Sequence, residues 1–418
     1  MKHHTITSEK PALKDAVFLN RRRFIQNMAA AGAVISLPSV VYGANPPKPS
    51  RHPRPDVVAI YCPLWHRYEH MDSWRGYGWT EWELLKNAPP RFPGHYQPLR
   101  PSWGCFDESD PKWSAREIDL AADHHIDVFL FDWYWYSGVK LMEEALEKGF
   151  LKSPNRKRLK FALMWANHDW VDCFPAPYDR PCNSWLPMRH SAADLMRVFD
   201  YCIEHYFRQP NYWTVNGRLF FSIFQTERFI QELGGPAEVR SLLASLDRKL
   251  ARAKLPAVHW HAMSAGSPQA VSIWQEAGFH STTADYNVTD SGKTSTNHTQ
   301  EYEDLISTHA DAWNEMAGTV LPHCPTVTMG WDVTPRCDHN VPWPFAKTDY
   351  PYCHVVLGNT PERFGRLCKL ADEFAIADPK RFAVFINAWN EWTEGSYLLP
   401  EEKYGTGYLE AIKQAFVR

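Results

Sequence analysis

Eight short apolar runs, each followed by a polar segment and a helical pattern, set the strongest constraint on how this chain folds. Runs of this length with polar or turn residues at their ends are typical of buried strands. They cover residues 57–61, 127–131, 160–164, 218–224, 257–261, 281–286, 326–330 and 382–386. Strands that alternate with helices predict a parallel sheet, and eight such units predict one (β/α)8 TIM barrel, an α/β fold with long βα loops.

Helical patterns occupy the stretches between the runs. We expect helices at 114–124, 139–148, 192–207, 237–253, 299–317, 361–376 and 408–416, with a short one before the sixth strand. Ser114 is a suitable N-cap, with Glu117 in the capping-box position. A doubly wound open sheet is the alternative fold, but no GxGxxG or Walker loop follows any run, which weakens a nucleotide-binding version of it.

Polar and aromatic residues follow nearly every apolar run, at the end of the strand where a parallel barrel places its catalytic side chains. A lone His or Asp there is more often a loop hydrogen-bonder or a helix cap, but here most strand ends share the pattern. It predicts a polar, indole-lined cleft suited to carbohydrate. The candidate substrate-binding residues are His66, Trp79, Glu81, Trp82, Asp132, Trp133, Trp135, Trp165, Asn167, His168, Trp331, Asp332, Arg336, Trp389, Asn390 and Trp392, and Asp285 follows the sixth run.

Two carboxylates follow the last run, in the segment Asn390-Glu391-Trp392-Thr393-Glu394-Gly395. In a continuing strand Glu391 and Glu394 would point to opposite faces, whereas in a turn they would face one cleft. The polar residues and the glycine favour the turn. A carboxylate pair of this kind can supply the acid and the base or nucleophile of glycosidic-bond cleavage. The alternative is a helix start whose acidic residues are favoured by the helix dipole.

Composition and charge limit the classes of partner. With 44% hydrophobic and 22% charged residues the chain is an ordinary globular protein, and a net charge of -3 gives no indication of nucleic acid or of an anionic membrane. Histidines such as His66 and His168, and several aspartates, could bind a cation, but no pair of them has a spacing that indicates a metal site. We therefore predict no metal and no cofactor. Nothing in the sequence fixes an oligomeric state.

The nine cysteines include no CxxC pair, which argues against a structural zinc site. Cys173 and Cys182 lie in one Pro-rich loop, and they could form a disulfide if the compartment is oxidising.

An export signal is predicted at the N-terminus. Arg21-Arg22-Arg23 precedes an Ala-rich, mildly apolar segment that is too short to span a bilayer stably. This resembles a twin-arginine signal, whose cargo crosses the membrane folded. We expect residues 1–44 to be the signal, 45–55 a Pro-rich linker and 56–418 the catalytic barrel, which would act in the periplasm or outside the cell.

Six motifs are distinctive as a set: Gly78-Trp79-Thr80-Glu81-Trp82, Phe92-Pro93-Gly94-His95-Tyr96-Gln97-Pro98, Trp165-Ala166-Asn167, Gly330-Trp331-Asp332-Val333-Thr334-Pro335-Arg336, the Asn390–Gly395 segment and Glu401-Glu402-Lys403-Tyr404-Gly405. Together they resemble glycoside hydrolase family 99-like proteins of the WbsX type. The resemblance runs from about residue 57 to the end of the chain. It implies a (β/α)8 barrel that acts on a polysaccharide or oligosaccharide.

The characterised relatives are endo-acting α-mannosidases, and their mechanism assigns roles to the two glutamates. By this resemblance Glu391 is the base on the substrate 2-hydroxyl, which attacks the anomeric carbon to give a 1,2-anhydro sugar, and Glu394 is the acid. Thr393 departs from the His often found there in those enzymes. The predicted export signal also departs from relatives assigned to cytoplasmic polysaccharide assembly, and it favours degradation because activated sugar donors are absent outside the cytoplasm.

Two alternatives stay open. Asp132 or Asp332 would partner one glutamate in a conventional double displacement, which needs carboxylates about 5–5.5 Å apart. The chain would otherwise be a non-catalytic glycan-binding or polysaccharide-assembly protein that keeps the scaffold.

Overall fold

A ring of parallel strands forms the centre of the molecule. The computed structural model describes residues 54–264, 267–284 and 298–416, all within the unit His52–Arg418. The ring strands in these ranges are β1 (Asp56–Tyr61), β2 (Val128–Tyr136), β3 (Lys160–Trp165), β4 (Arg218–Ile223), β5 (Val258–Ala262), β6 (Ser281–Thr283), β7 (His323–Cys324 and Thr326–Thr328) and β8 (Ala383–Asn387).

Strand pairing closes the ring. Val58 of β1 is in register with Val128 of β2 on one side and with Phe385 of β8 on the other. The two halves of β7 are separated by Pro325, which has no N–H to give to a neighbour. The first half pairs with β6 and the second with β8. The predicted (β/α)8 barrel is confirmed, and the doubly wound alternative is excluded because the path of hydrogen-bonded strands begins on one half of β7 and ends on the other, which closes the sheet on itself.

Helices connect the strands and cover the barrel. In the described ranges they are α1 (Glu69–Arg75), α2 (Trp82–Asn87), α3 (Pro111–Asp123), α4 (Ala192–His205), α5 (Thr226–Glu232), α6 (Pro236–Arg252), α7 (Pro268–Ala277), α8 (Tyr302–Met316), α9 (Pro361–Ile376) and α10 (Gly407–Ala415). None of these helices combines the length and the apolar character that a bilayer crossing requires.

The loops contain additional short strands. Trp170–Val171 pairs with Ser184–Leu186, Thr214–Val215 pairs with β4, and Thr299–Glu301 pairs with Val355–Leu357. The predicted helix at 299–317 therefore begins only at Tyr302.

Two further local predictions are wrong. Helix α3 begins at Pro111 and is capped by Asp110, whose carboxylate accepts a hydrogen bond from the Lys112 N–H at 2.9 Å. Ser114 therefore lies inside the helix, because the Asp-Pro pair supplies both a cap and a preset first residue. The predicted helix 139–148 begins instead as a strand, Val139–Leu141, paired with the end of β2, and a π-helical turn follows at Ala145–Gly149.

The predicted signal at 1–44 and most of the linker at 45–55 lie outside the described residues, as does Asp285. Their predictions stay predictions.

Aromatic side chains fill the inside of the barrel. The rings of Phe220 and Phe385 lie 6.3 Å apart, and His261 stacks on Phe385 at 5.1 Å. Because this part of the interior is packed, the space available to a ligand lies towards the carboxyl ends of the strands, where long loops surround it.

Candidate active site

The segment after β8 forms a tight turn that directs both glutamates into one space. Asn390–Glu391 pairs antiparallel with Ser396–Tyr397, and Trp392–Glu394 is a single 3-10 turn between them. Gly395 closes the turn at φ 68°, and a side chain there would meet the backbone of Asp332. The turn geometry predicted for Glu391 and Glu394 is therefore what the chain adopts.

Both glutamates line a cavity of about 480 Å³ at the carboxyl ends of the strands. The volume falls in the range of small-molecule sites. Its wall is formed by Ile60, Cys62, Leu64, Asp132, Tyr134, Met164, Ala166, His168, Trp170, Val171, Cys173, Phe174, Phe224, Gln225, Trp331, Arg336, Tyr350, Asn387, Glu391 and Glu394.

Arg336 is the charged centre of this wall. One terminal nitrogen of its guanidinium binds Glu391 at 2.7 Å, and the other makes a short ion pair with Glu394. From behind, Glu81 accepts from the first nitrogen with both carboxylate oxygens, at 3.0 and 3.1 Å. The guanidinium is thus oriented by a buried carboxylate and holds the two glutamates at fixed positions relative to each other.

Glu394 has the properties of a proton donor. Burial raises its pKa to about 8, with Glu391 adding to the effect and Arg336 opposing it. Its Oε1 accepts from Arg336 and, at 2.8 Å, from the Tyr350 hydroxyl. Its Oε2 has no hydrogen-bond partner among the described residues. A carboxylic acid that is protonated at neutral pH and has one unengaged oxygen is what a general acid requires.

Asp132 is a third carboxylate on the wall. Burial raises its pKa well above the ordinary value, and Glu391 and Glu394 add to the rise. Its Oδ1 is buried without a partner in the described part of the chain. A carboxylate oxygen of Asp132, a carboxylate oxygen of Glu391 and the Sγ atom of Cys62 all lie within 4.8 Å of one another. These atoms are close enough to share a cation, so the absence of a metal stays a prediction.

The structure brings six of the predicted site residues to the cavity: Asp132, His168, Trp331, Arg336, Glu391 and Glu394. Others act behind the wall. The Asn167 side chain accepts from the Gln225 N–H at 2.7 Å, and the Asn390 side chain accepts from the Cys62 N–H at 2.7 Å. These amides join neighbouring strand ends, which is a structural role.

Two predicted residues belong to other polar groups. His66 contacts Glu108 at 2.8 Å and Glu144 at 3.3 Å; burial alone would lower its pKa, but these two carboxylates raise it to about 9. Asp332 contacts His95 at 2.8 Å and Gln97 at 2.7 Å beside a smaller hollow of about 120 Å³.

Most of the tryptophans predicted to bind substrate are packed inside the protein and do not line the cavity. Trp331 lines the cavity, and Trp79 reaches it only through Phe174, with the two ring centroids 6.3 Å apart. The indole N–H groups of the buried tryptophans point at protein acceptors: Trp82 at Trp65 and Phe106 carbonyls, Trp133 at Tyr206, Trp135 at Asp194, Trp165 at the Trp135 carbonyl and Trp389 at Glu117. Trp392 stacks on Tyr397 at 4.2 Å.

Sequence reasoning missed Tyr134, Phe174, Gln225 and Tyr350. Strand alternation would have found Tyr134, because residues two apart on β2 share a face and Asp132 lines the cavity. Tyr350 gives no such signal, since it lies in a long loop far from any strand end. Cys173 and Cys182 are both free thiols in the structure.

The family of the chain follows from its sequence. A family model described as "Glycosyltransferase WbsX" matches residues 57–412. The chain belongs to the WbsX family. Two curated relatives of this WbsX-family chain are "Uncharacterized protein WxcX" from two strains of Xanthomonas campestris pv. campestris, each 24% identical over 372 residues. The match covers 87% of this chain and 50% of each relative, so the chain spans about half their length.

Solved structures share the barrel of this WbsX-family chain. The family 99 endo-alpha-mannosidase from Bacteroides thetaiotaomicron, in complex with Bis-Tris-propane, has a TM-score of 0.54 at 14% identity, over 86% of this chain and 95% of that one. A "Glycoside hydrolase-like protein" has a TM-score of 0.56 at 13% identity, over 92% of this chain and 98% of that one. At such identities the likeness shows the fold alone. The predicted resemblance to WbsX-type, family 99-like proteins is confirmed.

Proposed function

We propose that this WbsX-family protein is an exported retaining glycoside hydrolase that cleaves an α-linked polysaccharide or oligosaccharide with Glu391 and Glu394. One observation carries the proposal: the two glutamates bind the two terminal nitrogens of one guanidinium at the wall of the cavity. A single sugar ring placed against Arg336 would therefore meet both carboxylates.

The proposed reaction has two steps, with the substrate 2-hydroxyl as nucleophile. Glu391 takes the proton of the 2-hydroxyl, the freed oxygen bonds to the anomeric carbon, and Glu394 gives its proton to the departing glycosidic oxygen. Water then attacks the anomeric carbon of the 1,2-anhydro sugar, and the bond between that carbon and the 2-oxygen breaks. Glu394 takes a proton from that water, and Glu391 returns its proton to the 2-oxygen, so both residues end as they began.

The unpartnered Oε2 of Glu394 supports its role as the acid. The Oε1 atom already accepts two hydrogen bonds, so a proton on the carboxyl group is best placed on Oε2. That oxygen gains a partner when a glycosidic oxygen arrives. Glu391 accepts a hydrogen bond from Arg336 at 2.7 Å, which holds its carboxylate at the cavity wall.

A conventional double displacement is the alternative mechanism that the geometry favours next. A carboxylate oxygen of Asp132 lies within 4.8 Å of one of Glu391, close to the separation of about 5–5.5 Å typical of retaining glycosidases. Asp132 would then form a covalent glycosyl-enzyme. A fluorinated slow substrate that leaves a sugar on Asp132, detected by peptide mass spectrometry, would favour this alternative.

The description of the family as a glycosyltransferase favours a second function, transfer of the sugar to an acceptor hydroxyl. The same intermediate would be opened by a sugar hydroxyl in place of water. A non-catalytic role in glycan binding or polysaccharide assembly is the further alternative.

The experiment is a screen of the purified protein against α-linked polysaccharides, with released oligosaccharides measured by chromatography. We expect reducing ends to appear with one of them, and Glu391→Gln and Glu394→Gln to reduce turnover by roughly 10²–10⁴. Glu402→Gln, which alters a carboxylate with 63% of its side chain exposed, is the matched control and retains activity. Wild-type rates in both site variants would refute the assignment. Longer products would show transfer, and glycan binding with no release would show the non-catalytic role.

Export has its own test. Residues 1–44 fused to a folded reporter should direct it out of the cytoplasm through the twin-arginine route, and replacing Arg22 and Arg23 by Lys should stop this. A reporter that remains in the cytoplasm with the native segment would remove export from the proposal.

A further inference from the structure

Acidic groups outnumber cations on the wall of the cavity. Asp132, Glu391 and Glu394 contribute three carboxyl groups, and the wall holds one arginine, Arg336, and no lysine among the described residues. His168 also lines the cavity, but burial lowers its pKa, so its ring is neutral at neutral pH.

The guanidinium of Arg336 is already bound by carboxyl groups of the protein. Its terminal nitrogens bind Glu391 and Glu394 in the wall and both carboxylate oxygens of Glu81 behind it. Three carboxyl groups therefore bind one guanidinium, and Asp132 adds a fourth to the wall. An additional anion would have to displace one of these groups from Arg336 or remain buried without a counter-charge, which is unfavourable.

Asp132 also presents an unsatisfied acceptor. Its Oδ1 has almost no exposed surface and no hydrogen-bond partner in the described part of the chain, although the residue lines the cavity. Buried acceptors of this kind are usually satisfied. A hydroxyl or ammonium group of a ligand would satisfy this one, whereas a carboxylate or sulfate has no proton to donate.

We propose that the cavity selects glycans by charge: the subsite beside Asp132 and Glu391 receives a hydroxyl or ammonium group and excludes sugars that carry a carboxylate or a sulfate there. This selection by charge applies only to the part of the glycan that enters the cavity. At its edge Arg75 and Arg180 share Asp172, at 2.5 and 3.6 Å, and an acidic sugar held outside the cavity would not meet the same repulsion. The substrate class so defined rests on the proposed hydrolase function, but the charge preference of the cavity does not.

The test uses three six-carbon polyols that differ in charge: glucamine, glucitol and gluconate. Their binding to the wild-type protein is measured by calorimetry at pH 7 and low ionic strength. We expect glucamine to bind at least about tenfold more tightly than gluconate, with glucitol between them. Equal or undetectable binding of all three, or a preference for gluconate, would overturn the proposal.

A matched pair of Asp→Asn variants locates the preference. Asp132→Asn should reduce the ratio of glucamine to gluconate affinity by about tenfold, since an ammonium group beside Asp132 favours the ionised carboxylate and pairs with it, which an amide cannot do. Asp200→Asn makes the same substitution at an exposed helix position that pairs with Lys249, and should leave the ratio unchanged. Equal effects of the two variants would show a general charge effect and would overturn the assignment to this subsite. Thermal melts confirm that both variants are folded.

Turnover then separates this inference from the proposed function. If glucamine is preferred but no glycan is cleaved, the charge selection stands and the hydrolase proposal falls. If a neutral glycan and its uronic-acid counterpart are cleaved at the same rate, the hydrolase stands and the charge selection falls.

Discussion

At the residue scale, Arg336 explains how several acidic side chains share one buried space. A carboxylate that leaves water loses its hydration, and a buried pair is tolerated only when its geometry and hydrogen bonds are good. Here the guanidinium uses both terminal nitrogens, and Thr393 makes a short hydrogen bond to Glu81. Burial raises the pKa of Glu394, and the neighbouring Glu391 adds to the rise although Arg336 opposes it. The proton on the proposed acid is thus a consequence of burial together with the excess of acidic groups over Arg336.

Tyr350 should set the alkaline limit of activity. Its hydroxyl donates to Glu394 Oε1 at 2.8 Å, which favours the ionised carboxylate and lowers a pKa that burial has raised to about 8. Tyr350→Phe removes the donor, so we expect the alkaline limb of the pH profile of kcat/KM to move to higher pH. The magnitude should be on the order of one pH unit, the effect of one hydrogen bond to a charged group.

Tyr134→Phe is the control for this prediction. It makes the same chemical change in a tyrosine of the same cavity that is not bonded to Glu394, and its alkaline limb should stay in place. A limb that moves to lower pH in Tyr350→Phe would show that the hydroxyl does not stabilise the ionised acid.

At the scale of elements, the turn that carries Glu391 and Glu394 is held to the barrel by a side-chain amide. Asn390 precedes Glu391 and accepts from the backbone N–H of Cys62 at the end of β1, at 2.7 Å. Its amide nitrogen lies 3.4 Å from Glu108, which also accepts from the Trp65 N–H at 2.8 Å. The end of β8 is therefore tied to the loop after β1. Because the barrel closes between these two strands, the turn is attached on both sides of the closure.

Asn390→Ala should loosen this attachment. The Cys62 N–H would be left buried without an acceptor, which costs about 1–3 kcal/mol. We expect the free energy of unfolding in urea to fall by that amount and turnover to fall with it. Asn340→Ala is the control, since Asn340 is exposed and its side chain bonds only within its own loop, to Asp338. A loss of stability no larger than in the control would show that the turn is held by other contacts.

At the scale of the whole molecule, buried titratable groups under the active site make stability depend on pH. Burial raises the pKa of Glu117 to about 8 from its ordinary value of 4.5. The pKa of His66 rises from 6.5 to about 9, since the hydrogen bonds to Glu108 and Glu144 outweigh its burial. Both groups hold their protons more tightly in the folded chain. Their stabilisation is complete below the unfolded pKa and is lost as pH rises through the folded pKa.

We therefore expect the free energy of unfolding to fall between about pH 7 and pH 9, by on the order of a few kcal/mol. Below that range buried histidines such as His259 and His309 act in the opposite direction, because burial lowers their pKa to about 3 and about 4. Urea unfolding at several pH values measures the decline. Glu117→Gln keeps an acceptor for Trp389 but cannot titrate, so the decline between pH 7 and 8 should be shallower. Glu315→Gln, on the exposed side of α8, should follow the wild type. A stability that rises over this range would contradict the assigned directions.

The barrel and the turn that carries Glu391 and Glu394 could be predicted from the sequence, as could six of the residues that line the cavity. These features depend on local pattern: apolar runs of strand length, helical periodicity, and polar residues next to a glycine. The sequence did not determine which tryptophans face the ligand. Trp133 and Trp165 follow the strand-end pattern as well as Trp331 does, but of these three only Trp331 lines the cavity.

The partners of each charge depend on the folded chain. Arg336 and Tyr350 reach Glu394 from a long loop, and Glu81 reaches Arg336 from the loop after β1. A loop side chain has no periodicity that reveals its direction, and the energy of a buried carboxyl group depends on the groups that reach it from elsewhere in the chain. For that reason the proton on Glu394 and the unsatisfied oxygen of Asp132 were visible only after folding had brought these residues together.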